Sequence, residues 1–302
     1  VGHEPGVHVG LDGDGVQLEL ARTAGSGYGL LYRGDRLYAL RSAAPWRSRP
    51  IDDVPNASGA VALAVDPRGE PVVVGDYGPA SGLRASRWRE DLGRLTTEAL
   101  RPPGERYAES AAAFADSGSL YVATRAVPQN DLVLIQRDPG SFATTRTVLS
   151  SANDTGYSPQ VAAVGGRVAV LWLDRDFGQV RYAERVGDSG TFAFETALPV
   201  SVGPDAQPRL ALSRSGIAYV SLFEAASGTL RVFARSDGAF TLHDTVPETG
   251  VLPVHALAAT PNGLPALLYG IRQADDSILL RYRYDRLGQR IDQLASLTIP
   301  SG

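Results

Sequence analysis

The sequence predicts an all-β fold: a six-bladed β-propeller with four antiparallel strands per blade. Three observations predict it. A unit of two apolar strands around a Gly-containing turn recurs six times along the 302 residues. Gly and Pro interrupt the chain every 10 to 15 residues, and Val, Thr, Tyr and Phe dominate the runs between, which argues against helices. A third strand carrying Arg follows most of these apolar pairs at a similar distance.

The first two strands of the unit are seen in "VALAVDPRGEPVVVGDY" (61–77), "AAAFADSGSLYVATR" (111–125), "QVAAVGGRVAVLWLD" (160–174), "RLALSRSGIAYVSLFE" (209–224) and "HALAATPNGLPALLYG" (255–270). Their turn glycines, Gly69, Gly118, Gly166, Gly216 and Gly263, are spaced by 49, 48, 50 and 47 residues. "VHVGLDGDGVQLELART" (7–23) is a sixth copy, with Gly15 in that role at a longer gap of 54. Runs such as "VAVLWL" and "IAYVSLF" are apolar without alternation, as expected of inner strands covered on both faces.

The third strands are "GYGLLYRGD", "LRASRWRED", "DLVLIQRDP", "QVRYAERVG", "TLRVFARSD" and "ILLRYRYDR". Arg181, Arg231 and Arg281 recur at intervals of 50, and Arg185 and Arg235 repeat four residues on. Such regularity predicts interblade hydrogen bonds with snorkelling stems rather than a ligand stripe. Fourth, more polar strands follow, as in "TFAFETALP" and "AFTLHDTVP". The predicted blades span about 1–57, 58–105, 106–155, 156–203, 204–250 and 251–302, in one domain that closes without a strand borrowed from the other terminus.

Composition excludes much chemistry. There is no Cys and no Met, and all 29 basic residues are Arg. Hence there is no thiol nucleophile, disulfide or thiolate metal site. Without Lys there is no Schiff base and no Walker-type phosphate loop. A GC-rich, bacterial coding bias accounts for the missing Lys. The net charge of −4 argues against nucleic acid, and no apolar run is long enough to insert into a bilayer. The chain starts at Val1, which predicts a processed or excised portion of something longer.

The turn between third and fourth strands reads "RDPGSF" (137–142), "GDSGTF" (187–192) and "SDGAF" (236–240), with Phe142, Phe192 and Phe240 at matching places. Here Asp is expected to cap the turn, Gly to take unusual backbone angles and Phe to pack into the blade. This corner resembles the Asp-box of sialidase-like propellers, with Phe for the usual Trp, a shortened spacing and only three of six blades carrying it. The resemblance implies the fold. It does not imply catalysis, because the Asp-box is structural even in active sialidases. That family's activity would need an Arg triad, a Tyr nucleophile with a Glu partner and an acidic proton donor. Its Arg-Ile-Pro beginning is absent; "RPI" at 49–51 is a different order.

Propeller ligands usually sit on the face built by the two-to-three and four-to-one loops. The first set carries Arg22, Asp76, Tyr77, Arg125, Asp174, Arg175, Asp176, Glu224, Arg272, Asp275 and Asp276; the second adds Arg106, Tyr107, Glu109, Asp154, Tyr157, Asp205 and His255. From these we take Arg125, Tyr157, Asp174, Arg175, Glu224 and Arg272 as the candidate ligand-binding set, since Arg from different blades can meet an anionic ligand in bidentate geometry. "LDGDGVQLE" (11–19) lacks the further acids of a calcium loop and reads as a tight hairpin turn. His3, His8, His243 and His255 show no metal-ligand spacing, and there is no nucleophile elbow, so neither a metal nor another cofactor is expected and no catalytic residue stands out.

The resulting expectation is a non-catalytic module, secreted or at the cell surface or in a periplasm, that binds a glycan or a protein on its loop face. The alternative is a sialidase-like glycoside hydrolase acting on anionic glycans.

Overall fold

The computed structural model describes residues 4–11, 16–22, 27–33, 36–41, 47–50, 61–89, 94–101, 104–151, 154–187, 190–195, 198, 201–204, 206–236, 238–275, 278–286 and 289–299. Among them every regular element is a strand, so no helix is long and apolar enough to cross a membrane.

Sheet A comprises β1 (Glu4–Leu11), β2 (Val16–Arg22), β3 (Gly27–Arg33), β4 (Arg36–Arg41) and β5 (Arg47–Pro50). Sheet B holds β6 (Val61–Val65), β7 (Pro71–Asp76), β8 (Leu83–Arg89) and β9 (Arg94–Ala99). Sheet C holds β10 (Arg106–Phe114), β11 (Leu120–Val127), β12 (Asp131–Arg137) and β13 (Thr144–Ser150). Sheet D holds β14 (Tyr157–Val164), β15 (Arg167–Asp174), β16 (Gln179–Val186) and the short β17 (Ala193–Glu195). Sheet E holds β18 (Arg209–Leu212), β19 (Ala218–Glu224), β20 (Thr229–Ser236) and β21 (Ala239–Thr245). Sheet F holds β22 (Val251–Ala259), β23 (Pro265–Arg272), β24 (Ile278–Arg286) and β25 (Gln289–Ile299).

Among the described residues each sheet is an antiparallel meander with its strands in chain order, and none borrows a strand from another. First strands lie next to first strands: β6 by β10, β10 by β14, β14 by β18, β18 by β22, and β22 by β1, which also meets β6. This arrangement of four-stranded sheets fits a propeller. Sheet A departs from the expected four strands, because the Arg- and Pro-bearing segment Arg47–Pro50 adds a fifth, at the edge. Residues 12–15 of the "LDGDG" turn lie outside those described; the strands on either side pair, with Leu11 opposite Val16.

The turn glycines behave as their pattern demands. Gly69, Gly118, Gly166, Gly216 and Gly263 all take positive φ, between 73° and 86°, where a Cβ would be strained. Each sets the register that follows, so strand positions can be compared between sheets by counting from it.

The core is divided into slabs between neighbouring sheets. Val72, Val74, Leu120 and Ile135 belong to the B–C slab, and Tyr121, Leu134, Val170 and Trp172 to the C–D slab. Leu171, Tyr182, Leu212 and Phe233 fill D–E, while Tyr219, Val232, Leu267 and Tyr269 fill E–F. Burying both faces of the second strands in this way explains their unbroken apolar runs.

The repeated arginines divide into two roles. Arg185 reaches back to sheet C, donating to the Tyr121 hydroxyl (3.1 Å) and Gln136 Oε1 (2.6 Å). Arg235 reaches back to Glu184 Oε2 on sheet D (3.2 Å); Arg283, outside the repeated positions, likewise reaches Asp244 on sheet E (3.1 Å). Glu184 is also held by Arg167 Nη1 (2.7 Å) and the Tyr182 hydroxyl (3.1 Å). By contrast, Arg181 and Arg231 stay within their own sheets on Asp174 (3.4 Å) and Glu224 (2.7 Å), which corrects the expectation that all these arginines bridge blades.

The Asp-box-like corners also differ from expectation. At the first, Asp138 Oδ1 accepts from the Gly140 and Ser141 amides (3.0 and 2.7 Å) and the Ser141 hydroxyl (2.9 Å), as a turn cap should. Phe240 packs inward, edge-on to Tyr182 at 5.1 Å between ring centroids. Phe142 does not: it is 62% exposed, at a φ of 57°, with the Arg137 guanidinium 4.4 Å from its ring centroid.

Candidate functional site

The loop-face residues that the structure brings together are Arg125, Tyr157 and Arg175. Tyr157 opens β14, where the pairing with β15 shifts between Tyr157 and Gln160. A matching shift lies between Tyr107 and Ser110 of β10. Such bulges re-aim side chains at a strand end. Here they set Ser158, at a φ of 46°, so that its amide donates to Glu109 Oε2 at 2.6 Å.

Around Tyr157 the polar groups form one connected network. Arg125 gives Nη2 and Nε to Glu109 Oε1 (2.8 and 3.2 Å) and Nη1 to Asn130 Oδ1 (2.7 Å). Asn130, itself at a φ of 61°, donates on to Asp154 Oδ1 (3.3 Å). The Asp154 amide donates to Asp176 Oδ2 (3.0 Å), and its carbonyl accepts from the Arg175 amide (2.9 Å). Arg175 Nε donates to the Pro204 carbonyl (2.8 Å).

Two guanidinium carbons lie over the Tyr157 ring, that of Arg175 at 3.6 Å from the centroid and that of Arg125 at 4.2 Å. Both distances are within cation–π range. The phenol titrates above its ordinary value because burial, and then the hydrogen bond with Asp154, favour the protonated form against the pull of the two cations. Gly156 sits under this arrangement at a φ of 82°, with a Cβ position only 3.0 Å from the Asn130 carbonyl oxygen and the Leu132 nitrogen.

The other candidates sit elsewhere. Asp174 is buried at the end of β15 and takes Arg181, and Glu224 holds Arg231 and the Ser227 hydroxyl (3.1 Å). In both cases the Arg faces the residue two places before the acid, Trp172 or Leu222, so this is one repeated structural pair. Arg272 ends β23 on sheet F, its amide on the Gly250 carbonyl (2.8 Å). Asp76, Tyr107 and His255 are buried rather than presented on loops. Asp76 accepts the Gly78 and Tyr107 amides (both 3.0 Å). The Tyr107 phenol is pushed up to about 12 by burial and by Glu105. Glu109 and Asn130 complete the network around Arg125; Asn130 escaped sequence reasoning, since only the hairpin between β11 and β12 returns it to Arg125.

No protein-family model matches the chain, and no curated protein matches it in sequence. Solved structures do resemble it in fold. The SapL1 lectin, in complex with alpha methyl fucoside, has a TM-score of 0.63 at 13% identity, over 94% of this chain and 97% of the lectin. A PL25 ulvan lyase bound to its -[GlcA(1-4)Rha3S]- ligand has 0.63 at 12%, over 99% and 87%. The sialidase of Trypanosoma rangeli, in complex with the inhibitor DANA, has 0.54 at 11%, over 93% of this chain and 54% of the sialidase. At these identities the likeness is one of fold.

Proposed function

We propose that the chain is a six-bladed propeller, secreted or held at the cell surface, that binds a glycan on its loop face without cleaving it. Six blades are supported by the neighbour relation of first strands, which runs from β6 through β22 to β1 and back to β6. Glycan binding is supported by a site made of hydrogen-bonding groups around an aromatic ring, the combination that hydroxyl-rich ligands use, and by resemblance to propellers solved with sugars bound.

The observation that carries the non-catalytic reading is the way Arg125 is engaged. A sialidase-like hydrolase needs arginines open to a substrate carboxylate, whereas Arg125 is already held by Glu109 (2.8 Å) and Asn130 (2.7 Å) and lies, with Arg175, over the Tyr157 ring. These groups are poised to position a ligand.

A glycan array probed with the intact chain tests the reading. Binding is expected, weakened about ten-fold by Arg175→Ala, the scale of one charge-assisted contact. A 4-methylumbelliferyl sialoside should not be turned over. Turnover that disappears in Tyr157→Phe would establish the hydrolase instead, and silence on the whole array would end the glycan reading.

A further inference from the structure

An opening lies away from Tyr157, between sheets B and C. It is a cleft of ≈ 180 Å³ lined by Val72, Ala85, Thr97, Glu98, Arg137 and Phe142. Comparison with the next two junctions shows why it is open.

Arg137, Arg185 and Arg235 hold one register position: each faces the residue two places after its turn glycine, namely Leu120, Val168 and Ala218. Arg185 and Arg235 land on Gln136 and Glu184, the partners of Tyr121 and Ala169, three places after the glycine. In sheet B the corresponding residue, opposite Val72, is Arg87. A cation cannot receive a cation, and Arg87 turns instead to Asp66 (3.1 Å) and Glu70 (3.6 Å). Arg137 is diverted to Glu98 Oε2 on β9 (2.7 Å).

Size differs as well as charge. Val72 stands where sheet C has Tyr121, and Ala85 stands where sheet D has Tyr182. Each tyrosine is fully buried and engages the incoming Arg or Phe: Tyr121 meets Arg185, and Tyr182 meets Arg235 and Phe240. At B–C neither tyrosine is present, the space is empty, and Phe142 stands out at its mouth. Repetition makes a position structural, and this position is where the repetition is broken.

We propose that the B–C cleft is a carbohydrate subsite for a single pyranose ring. The ring's apolar C–H face lies on Phe142, and adjacent hydroxyls are shared between the Arg137 guanidinium, which only donates, and the Glu98 carboxylate, which only accepts. Glu98 keeps 41% of its side chain exposed, so its second oxygen is open to such a bond. The volume is below the roughly 300–1,000 Å³ of pockets that engulf larger ligands, which fits one sugar unit of a chain that continues into solvent. This rests on the glycan-binding reading but places a second contact on a different part of the molecule.

The test uses the intact chain with methyl glycosides of glucose, galactose, mannose and fucose as probes, read by saturation-transfer NMR and titration. It is run in an Arg175→Ala background to weaken the loop-face contribution. That variant should still bind at least one glycoside. Adding Phe142→Ala, at an exposed site that leaves the core intact, should weaken binding about ten-fold. Adding Val72→Tyr, the residue the neighbouring sheet uses, should fill the cleft and abolish binding. Binding unchanged by either cleft substitution, or abolished by Arg175→Ala alone, overturns the subsite and leaves the glycan reading standing. Failure of the unmutated chain to bind any glycoside or any array glycan overturns both.

Discussion

Glu184 joins two sheets, and its removal should be felt as a loss of stability of calculable size. Its carboxylate is 8% exposed and accepts from Arg167, Arg235 and Tyr182. Glu184→Ala leaves the Arg235 guanidinium, 19% exposed, without its carboxylate in the D–E interface. Removing one partner of a buried ion pair costs about 3–5 kcal/mol. Arg167, at 37% exposure, recovers water and adds no more than about 1 kcal/mol. With Arg235 only partly buried, the lower end applies, about 3 kcal/mol. Glu184→Gln should cost only about 1 kcal/mol, a net hydrogen bond's worth, because sheet C already places Gln136 at the same register and holds Arg185 with it at 2.6 Å. Urea melts followed by far-UV circular dichroism give both values, compared through midpoints at constant slope. A cost for Glu184→Ala below about 0.5 kcal/mol would refute the reasoning, as would equal costs for the two variants.

Two further effects should be measurable. Burial, and then the nearby Arg209 cation, depress the His255 imidazole to about 4, while its Nδ1 meets the Pro253 carbonyl at 2.8 Å. The unfolded chain therefore binds a proton at this residue between about pH 6.5 and 4 that the folded chain does not, so its stabilising contribution is complete above that window and falls by about 3 kcal/mol as pH drops through it. Urea melts across this range should show that acid slope reduced in His255→Gln, and identical slopes would contradict the assignment. Gly156→Ala should cost about 2 kcal/mol or more, from a positive φ and a Cβ 3.0 Å from backbone atoms, and should weaken array binding by displacing Asn130; a neutral effect on both would remove Gly156 from the account.

The repeats were legible because their physics is local. A turn that needs positive φ selects Gly, and a strand covered on both faces selects an unbroken apolar run; counting from Gly69 to Gly263 therefore located the hairpins. The candidate site was legible only in part. Arg125, Tyr157 and Arg175 were placed on one face, with Asp174, Glu224 and Arg272, because the fold brings strand ends together there. Asp174 and Glu224 looked like loop acids, yet each has its Arg seven residues on, diagonally across the hairpin, a relation visible only once strand register is known. Phe142 was misread for a further reason. Whether that corner closes is decided by Val72, Ala85 and Arg87 in the preceding sheet. A column-by-column comparison of the repeats, with Tyr121 and Tyr182 as the contrasting residues, carries that signal in the sequence.

The guanidinium seams have a consequence on the alkaline side. Each cation in the sheet-to-sheet contacts is an Arg, because the chain has no Lys. An ammonium group begins to lose its charge near about pH 10, whereas a guanidinium retains it beyond about pH 12. The buried Tyr107 phenol holds its proton to about the same limit. A base strong enough to discharge ammonium staples is too weak to discharge guanidinium ones as a class, and a chain without Lys lacks that route to loosening its sheet-to-sheet contacts.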